Sequence, residues 1–124
     1  MASVGSAGPY TLIVDRPVEG GGSGLGFNGG ELLYLAIGGC VSNDLFREAN
    51  ASGIRLSSVR VVVHGEFTGN PAVSGPITYD VELAGEATTS ELEALAVQVN
   101  AVAEIPNSVR RGTEVTLANV TVII

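Results

Sequence analysis

The sequence predicts an α+β domain. One long, apolar helix near the start is followed by two runs in strict period-2 alternation, joined by a short link. A second, amphipathic helix comes next, and most of the strand content lies C-terminal to the first helix instead of alternating βαβα. The chain has 124 residues, 45% of them hydrophobic, which matches one domain with one core spanning residues 1–124. Residues 1–10 are expected as a flexible N-terminal arm.

The first strand is expected at Thr11–Asp15 (TLIVD), β-branched and stopped by Arg16-Pro17. Residues 18–30 (VEGGGSGLGFNGG) hold seven of the seventeen glycines and read as a loop open to backbone conformations closed to other residues. The helix follows from Glu31 to about Ala51, apolar nearly all round in its first half and amphipathic in its second, with Gly53 as its stop. Gly38-Gly39 inside it predicts close packing beside Cys40, because a helix-interior glycine costs roughly 1 kcal/mol against alanine. Ser57–Thr68 alternates Val59, Val61, Val63 and Phe67 against Arg60, His64 and Glu66. Ile77, Tyr79, Val81 and Leu83 repeat the pattern after a turn-rich link at Pro71–Pro76, and the two strands suggest an antiparallel pair. Thr88 with Glu91 is a capping box opening a helix through about Ala103, with Leu92, Leu95, Ala96 and Val99 on its apolar face. Pro106 is expected to end that helix, NSVRRG to form a polar turn, and Thr113–Ile124 to be the last strand.

Charge narrows the functional classes. Six arginines and no lysine stand against thirteen acids, for a net charge of −7. This balance repels phosphate backbones and anionic membrane surfaces, so neither a nucleic-acid nor a membrane partner is expected. The longest apolar run, Leu32–Val41, is about half the ~20 residues a membrane span requires. The first ten residues carry no basic n-region and no apolar h-region, so a cytoplasmic location is the expectation. One cysteine and one histidine exclude a disulfide framework and a conventional zinc cluster, and no metal or cofactor is predicted. The stretch from Gly24 to Gly29 matches G-x-G-x-x-G, but the preceding strand ends well before it and no parallel βαβ unit follows, which argues against a dinucleotide site.

The run N-G-G-E-L-L-Y-L-A-I-G-G-C from Asn28 to Cys40 resembles the cysteine-helix signature of the OsmC/Ohr family, roughly P-E-E-L-L, a small-residue stretch and A-x-C. The preceding V-D-R-P (Val14–Pro17), the glycine loop and the order of elements over residues 11–124 extend the likeness over nearly the whole chain, with room for fewer opening strands than the family usually has. The resemblance implies antiparallel sheets wrapped around a buried cysteine-bearing helix in an intertwined homodimer. It also implies that a peroxidatic cysteine meets organic hydroperoxides and that a second cysteine, in a Cys-Pro step, resolves the sulfenic acid. Cys40 matches the first cysteine. Ile105-Pro106 matches the Cys-Pro step, so Ile105 stands where the resolving thiol would be. The family's N-terminal arginine corresponds to Arg16. Of its two helix-start glutamates, the first falls on Gly30 and the second on Glu31.

The implied function is therefore thiol-dependent reduction of organic hydroperoxides by a one-cysteine variant that uses an external thiol reductant, with Cys40, Arg16 and Glu31 as site residues. The competing reading is a non-catalytic dimer that binds a small hydrophobic ligand in its interfacial cavity. A free thiol with a pKa near 8.5 is only a few per cent ionised at neutral pH, so peroxide chemistry needs a cation near Cys40. Mid-helix, the macrodipole offers little, while Asp44 and Arg47 share the Cys40 face with opposite effects. Each candidate also has a plainer reading. Cys40 can be a small packed hydrophobe, Arg16 an exposed strand end, Glu31 a first-turn acid, and His64 a solvated surface residue. Leu33, Tyr34 and Ile37 can be pocket lining or plain core, and Arg110-Arg111 an anion site or a solvated helix end.

Overall fold

The computed structural model describes residues 1–120. It opens with a hairpin of β1 (Ser3–Ala7) and β2 (Tyr10–Val14), antiparallel from Ser3 opposite Val14 to Ala7 opposite Tyr10. The first ten residues are thus not an unstructured arm. Ser3–Ala7 carries too little β-branched or aromatic content to register as a strand, and it forms one because β2 supplies a pairing edge. A single 3-10 turn at Val18–Gly20 starts the glycine loop.

Helix α1 runs from Gly29 to Ala51. It begins two residues before the expected start because Asn28 caps it: the Asn28 side chain accepts the Glu31 N–H, and the Glu31 side chain accepts the Asn28 N–H in return. It ends at Ser52, where Gly53 takes a left-handed φ of 71° that lets the chain turn away.

The long alternating run forms β3 (Leu56–His64) and then breaks at Gly65-Glu66 before β4 (Phe67–Thr68). The break has a packing cause. A Cβ at Gly65 would lie 2.7 Å from the Tyr34 ring, and the Phe67 ring stacks on Tyr34 with centroids 5.5 Å apart, so the chain bends to dock on the first turns of α1. The expected link from Pro71 to Pro76 contains β5 (Val73–Ser74), paired with β4 and tied to α1 by a 2.9 Å hydrogen bond between the Tyr34 and Ser74 hydroxyls. Strand β6 (Thr78–Gly85) pairs with β3 antiparallel, as the alternation predicts, from Leu56 opposite Gly85 to His64 opposite Thr78.

Helix α2 (Thr89–Val102) starts at the predicted capping box, with both the Thr88 and the Glu91 hydrogen bonds present. Pro106 does not end it. The chain leaves the helical region at Ala103 (ψ 119°), and α3 (Glu104–Arg110) begins at once with Pro106 in its first turn. A first-turn N–H has no intrahelical acceptor, so proline is tolerated there as readily as it terminates a helix, and NSVR is helical instead of a polar turn. Residues 113–120 form no regular structure, contrary to the expected strand, and the rest of that strand lies outside the described residues.

The core joins one face of α1 (Val41, Leu45, Ala49) to Leu95 and Val99 of α2 and to Ala103. Val59 and Val61 of β3, with Tyr79, Val81 and Leu83 of β6, close it from the other side. Burial of a side chain such as Leu45, which has no exposed surface, contributes about 1.5–3 kcal/mol. Among the described residues, no helix is long and apolar enough to cross a membrane. Two substitutions test this core and its helix cap in urea unfolding: Leu45→Ala should lower the unfolding free energy by about 2–5 kcal/mol, and Thr88→Ala by about 1 kcal/mol.

Candidate functional site

Cys40 lies in the middle of α1 on the flank of its buried face, with Ile37 one turn before it and Asp44 one turn after it, both buried. The thiol is half-buried, packs against the core and is a free cysteine. The two charges predicted on its face pair with each other: Arg47 Nη1 is 3.3 Å from Asp44 Oδ1. The Arg47 Nε also donates to Glu48 at 3.2 Å, so its charge is shared between two carboxylates and is not held for the thiol.

Helix α3 packs against α1 and carries Ile105 and Pro106. A small cavity of about 60 Å³ sits at this junction, lined by Ile37, Ile77, Tyr79, Pro106, Val109 and Arg110. Arg110 is occupied by neutral acceptors. Its Nη1 donates to the Asn100 carbonyl at 3.1 Å and to Asn107 Oδ1 at 2.7 Å, which ties α3 to the end of α2. The Tyr79 hydroxyl donates to Asn100 Oδ1 at 2.6 Å. Burial pushes the Tyr79 phenol above its ordinary pKa, with the nearby Arg110 charge acting in the opposite direction.

Arg16 lies elsewhere. It is exposed and lines a cavity of about 610 Å³ at the N-terminal end of α1, together with Ser3, Asp15, Gly29 and Gly30. From Gly30 to Cys40 the helix rises about 15 Å at 1.5 Å per residue, and no hydrogen bond or ion pair joins Arg16 to Cys40 in the chain. Glu31 is at the same end of the helix, where its Oε1 accepts the Asn28 N–H at 3.0 Å. The structure gives that carboxylate the capping task and leaves it exposed. Within one chain, therefore, Cys40, Arg16 and Glu31 do not converge.

The residue that sequence reasoning missed is Asp15. It is buried, with 5% of its surface exposed, and its carboxylate accepts three backbone N–H groups: Arg16 at 2.7 Å, Leu25 at 3.0 Å and Ser23 at 3.2 Å. The Leu25 N–H, then that of Arg16, hold its carboxyl below the ordinary value of 3.8, with further help from Ser23 and the amino terminus and against the effect of burial. The available signal was the loop itself, a glycine-rich segment whose N–H groups have no strand or helix partners and need an acceptor. The glycines are needed for the close return of the chain. A Cβ at Gly22 would fall 2.1 Å from the Arg16 carbonyl oxygen, and one at Gly26 2.0 Å from that of Ile13.

On the opposite flank of α1, a groove of about 350 Å³ is lined by Tyr34, Leu35, Gly38, Ser42, Val61 and Val63. Gly38 shows the predicted close packing, since a Cβ there would be 3.1 Å from Val63, whereas Gly39 faces open space. Gly38 and Cys40 are two residues apart, which is about 200° around a helix, so the groove and the thiol occupy different sides. Of the three residues weighed as pocket lining near Cys40, Tyr34 belongs to this groove and Ile37 to the small cavity at α3. His64 is on the exposed face of the sheet, its Nε2 2.8 Å from Asp80 Oδ2, in line with a solvated role.

Comparison with known proteins follows the same outline. The family model for OsmC-like protein matches residues 20–118. Among solved structures, the chain is similar to an OsmC-like protein of Mycoplasma pneumoniae, with a TM-score of 0.77 at 17% identity over 88% of this chain and 79% of that one. It is also similar to an OsmC-like protein of unknown function from Vibrio cholerae, with a TM-score of 0.68 at 15% identity over 86% and 77% of the two chains. A third similarity is to an organic hydroperoxide resistance protein OsmC from Legionella pneumophila, with a TM-score of 0.63 at 20% identity over 89% and 88%. No curated protein matches the sequence.

The depressed Asp15 pKa makes a prediction about stability. A carboxyl whose folded pKa lies below its unfolded value stabilises the fold above the unfolded value, and that contribution is lost as the pH falls through the folded one. The melting temperature of Asp15→Asn should therefore lie below that of the parent chain by a constant gap from pH 5 to pH 8, and the gap should close progressively below pH 3.8.

Proposed function

The chain belongs to the OsmC-like protein family, and from that premise we propose that it reduces organic hydroperoxides through Cys40 as a one-cysteine member. The observation that carries this reading is a half-buried free thiol in mid-α1, within a fold shared with an organic hydroperoxide resistance protein. The Cys40 thiolate attacks the distal oxygen of the hydroperoxide. A sulfur–oxygen bond forms, the O–O bond breaks, and the departing alkoxide takes a proton to leave as the alcohol. Cys40 becomes a sulfenic acid. With Ile105 on α3 where the family signature has its second cysteine, no thiol in the chain can condense with it. One external thiol then displaces water to give a mixed disulfide with Cys40, and a second attacks that disulfide, releasing the Cys40 thiol and leaving the two external thiols joined as a disulfide, so that two thiols are oxidised for each peroxide reduced. A reducing, cytoplasmic setting supplies such thiols.

The reading includes a homodimer. Leu35 and Phe46 on the outward side of α1 are about half exposed, at 51% and 50%, and the β1–β2 hairpin leaves Val4, Tyr10, Leu12 and Ile13 uncovered. These uncovered apolar side chains support an interface with a second copy. A second copy covering α1 also gives Arg16 a role that its own chain does not, namely to serve as the cation for the Cys40 thiolate of the second copy. Glu31 contributes by fixing the helix start.

The apolar groove at Gly38 favours the second reading, a dimer that binds a small hydrophobic molecule without turnover. One experiment separates the two. Reduced protein is mixed with an organic hydroperoxide and a sulfenic-acid trap, and intact mass and peroxide consumption are followed. The parent chain should gain one trap adduct at Cys40 and consume peroxide with an external thiol, and Cys40→Ser should fall to the uncatalysed rate. Equal consumption by Cys40→Ser would sink the peroxidase reading. Native mass spectrometry then shows whether an apolar ligand is retained. Sedimentation should give twice 12.6 kDa, and a stable monomer would remove the dimer from the proposal.

A further inference from the structure

We propose that Asp15 is a positioning residue: it holds the Arg16 backbone in one place at the start of α1 so that the guanidinium is presented, unpaired, into the cavity beside Gly29 and Gly30. This rests on the reading of Arg16 as the cation of the Cys40 site. Asp15 binds Arg16 through the backbone N–H, at 2.7 Å, and not through the guanidinium. Its remaining acceptor capacity goes to Ser23 and Leu25 across the loop. Committed to three amides, the Asp15 carboxylate makes no hydrogen bond with the Arg16 guanidinium. Among the described residues, the ion pairs involve Arg47, Arg60 and His64, and none involves Arg16.

The other side of Arg16 is held as well. Its carbonyl accepts the Gly24 N–H at 3.0 Å, Pro17 follows with φ fixed at −63°, and the Asp15 N–H donates to the Phe27 carbonyl at 3.0 Å. The two ends of the loop are thus closed around the Arg16 peptide. A loop with five glycines between positions 20 and 26 would otherwise let Arg16 wander, and a misplacement of about 1 Å in a reacting group can cost roughly 10²-fold in rate. The buried carboxylate replaces the missing secondary structure at the point where the arginine must be steady.

The test uses the full chain and the pH profile of Cys40 alkylation in four forms: parent, Asp15→Asn, Arg16→Ala and the double variant. The Asp44–Arg47 pair beside the thiol is unchanged in all four. Both single variants should slow alkylation at pH 7 by roughly threefold to tenfold and move the alkylation profile to higher pH. In the Arg16→Ala background, Asp15→Asn should add nothing. If Arg16→Ala shifts the profile and Asp15→Asn does not, or if the Asp15→Asn effect persists without Arg16, the positioning role is overturned while the Arg16 role stands. A profile unmoved by Arg16→Ala overturns both, and the peroxide assay on Cys40→Ser still decides the hydroperoxide reading separately. Amide exchange on the unaltered chain provides a check that needs no variant to fold. The Arg16, Ser23 and Leu25 amides should be protected at least tenfold relative to unstructured chain, and exchange at unstructured rates would overturn the proposal.

Discussion

Everything in this fold is arranged around one constraint, the burial of α1. A 23-residue helix that is apolar nearly all round in its first half and amphipathic in its second must bury a long face, yet a domain of this size has few elements with which to cover it. Helix α2, the β3–β6 sheet and α3 are all spent on one side of it. The contact is dense where Val41 and Leu45 meet Val99, none of them exposed by more than 1%, and it thins toward Leu35 and Phe46. The same incompleteness connects structure to function, because the flank that carries Cys40 lies at the boundary between the covered and uncovered sides.

The start of α1 is organised by a different force. Two carboxylates, those of Asp15 and Glu31, are used there to accept backbone N–H groups, and neither is paired with an arginine. A glycine-rich loop has high conformational entropy and no side chains to pack, so hydrogen bonds to a charged acceptor are the economical way to hold it in place. These bonds also keep the arginine beside the loop free of an intramolecular carboxylate.

At the thiol the balance of charge is close to neutral. Arg47 is divided between Asp44 and Glu48, Arg110 is bound to the amides of Asn100 and Asn107, and the macrodipole is weak so far from the helix end. The proposed chemistry therefore needs a cation for Cys40 from outside its immediate helix. In the proposed cycle the second thiol also comes from solution, since α3 carries Ile105 where the family signature has sulfur.

Much of this was legible in the sequence where the cause is local. The Thr88–Glu91 capping box, the period-2 alternation of β3 and β6 and the end of α1 at Ala51 follow from neighbours within four residues or from a repeat, and each formed as expected. The elements misjudged were those whose state depends on distant partners. Ser3–Ala7 became a strand because β2 pairs with it, β3 ended early because Tyr34 presses on Gly65, and Pro106 opened a helix because Ala103 turned the chain first. Residues 113–120 have the composition of a strand but pair with no other strand among the described residues. For the site, the sequence by itself determined which atoms are available: one thiol, six guanidiniums and the family motif that singles out Cys40. Only the tertiary structure decided which of them meet, because the reach of a side chain is short compared with a helix. About two and a half turns of α1 separate Cys40 from Glu31, Arg16 lies off the same helix end, and the buried carboxylate of Asp15 acquired its role only once the loop closed over it.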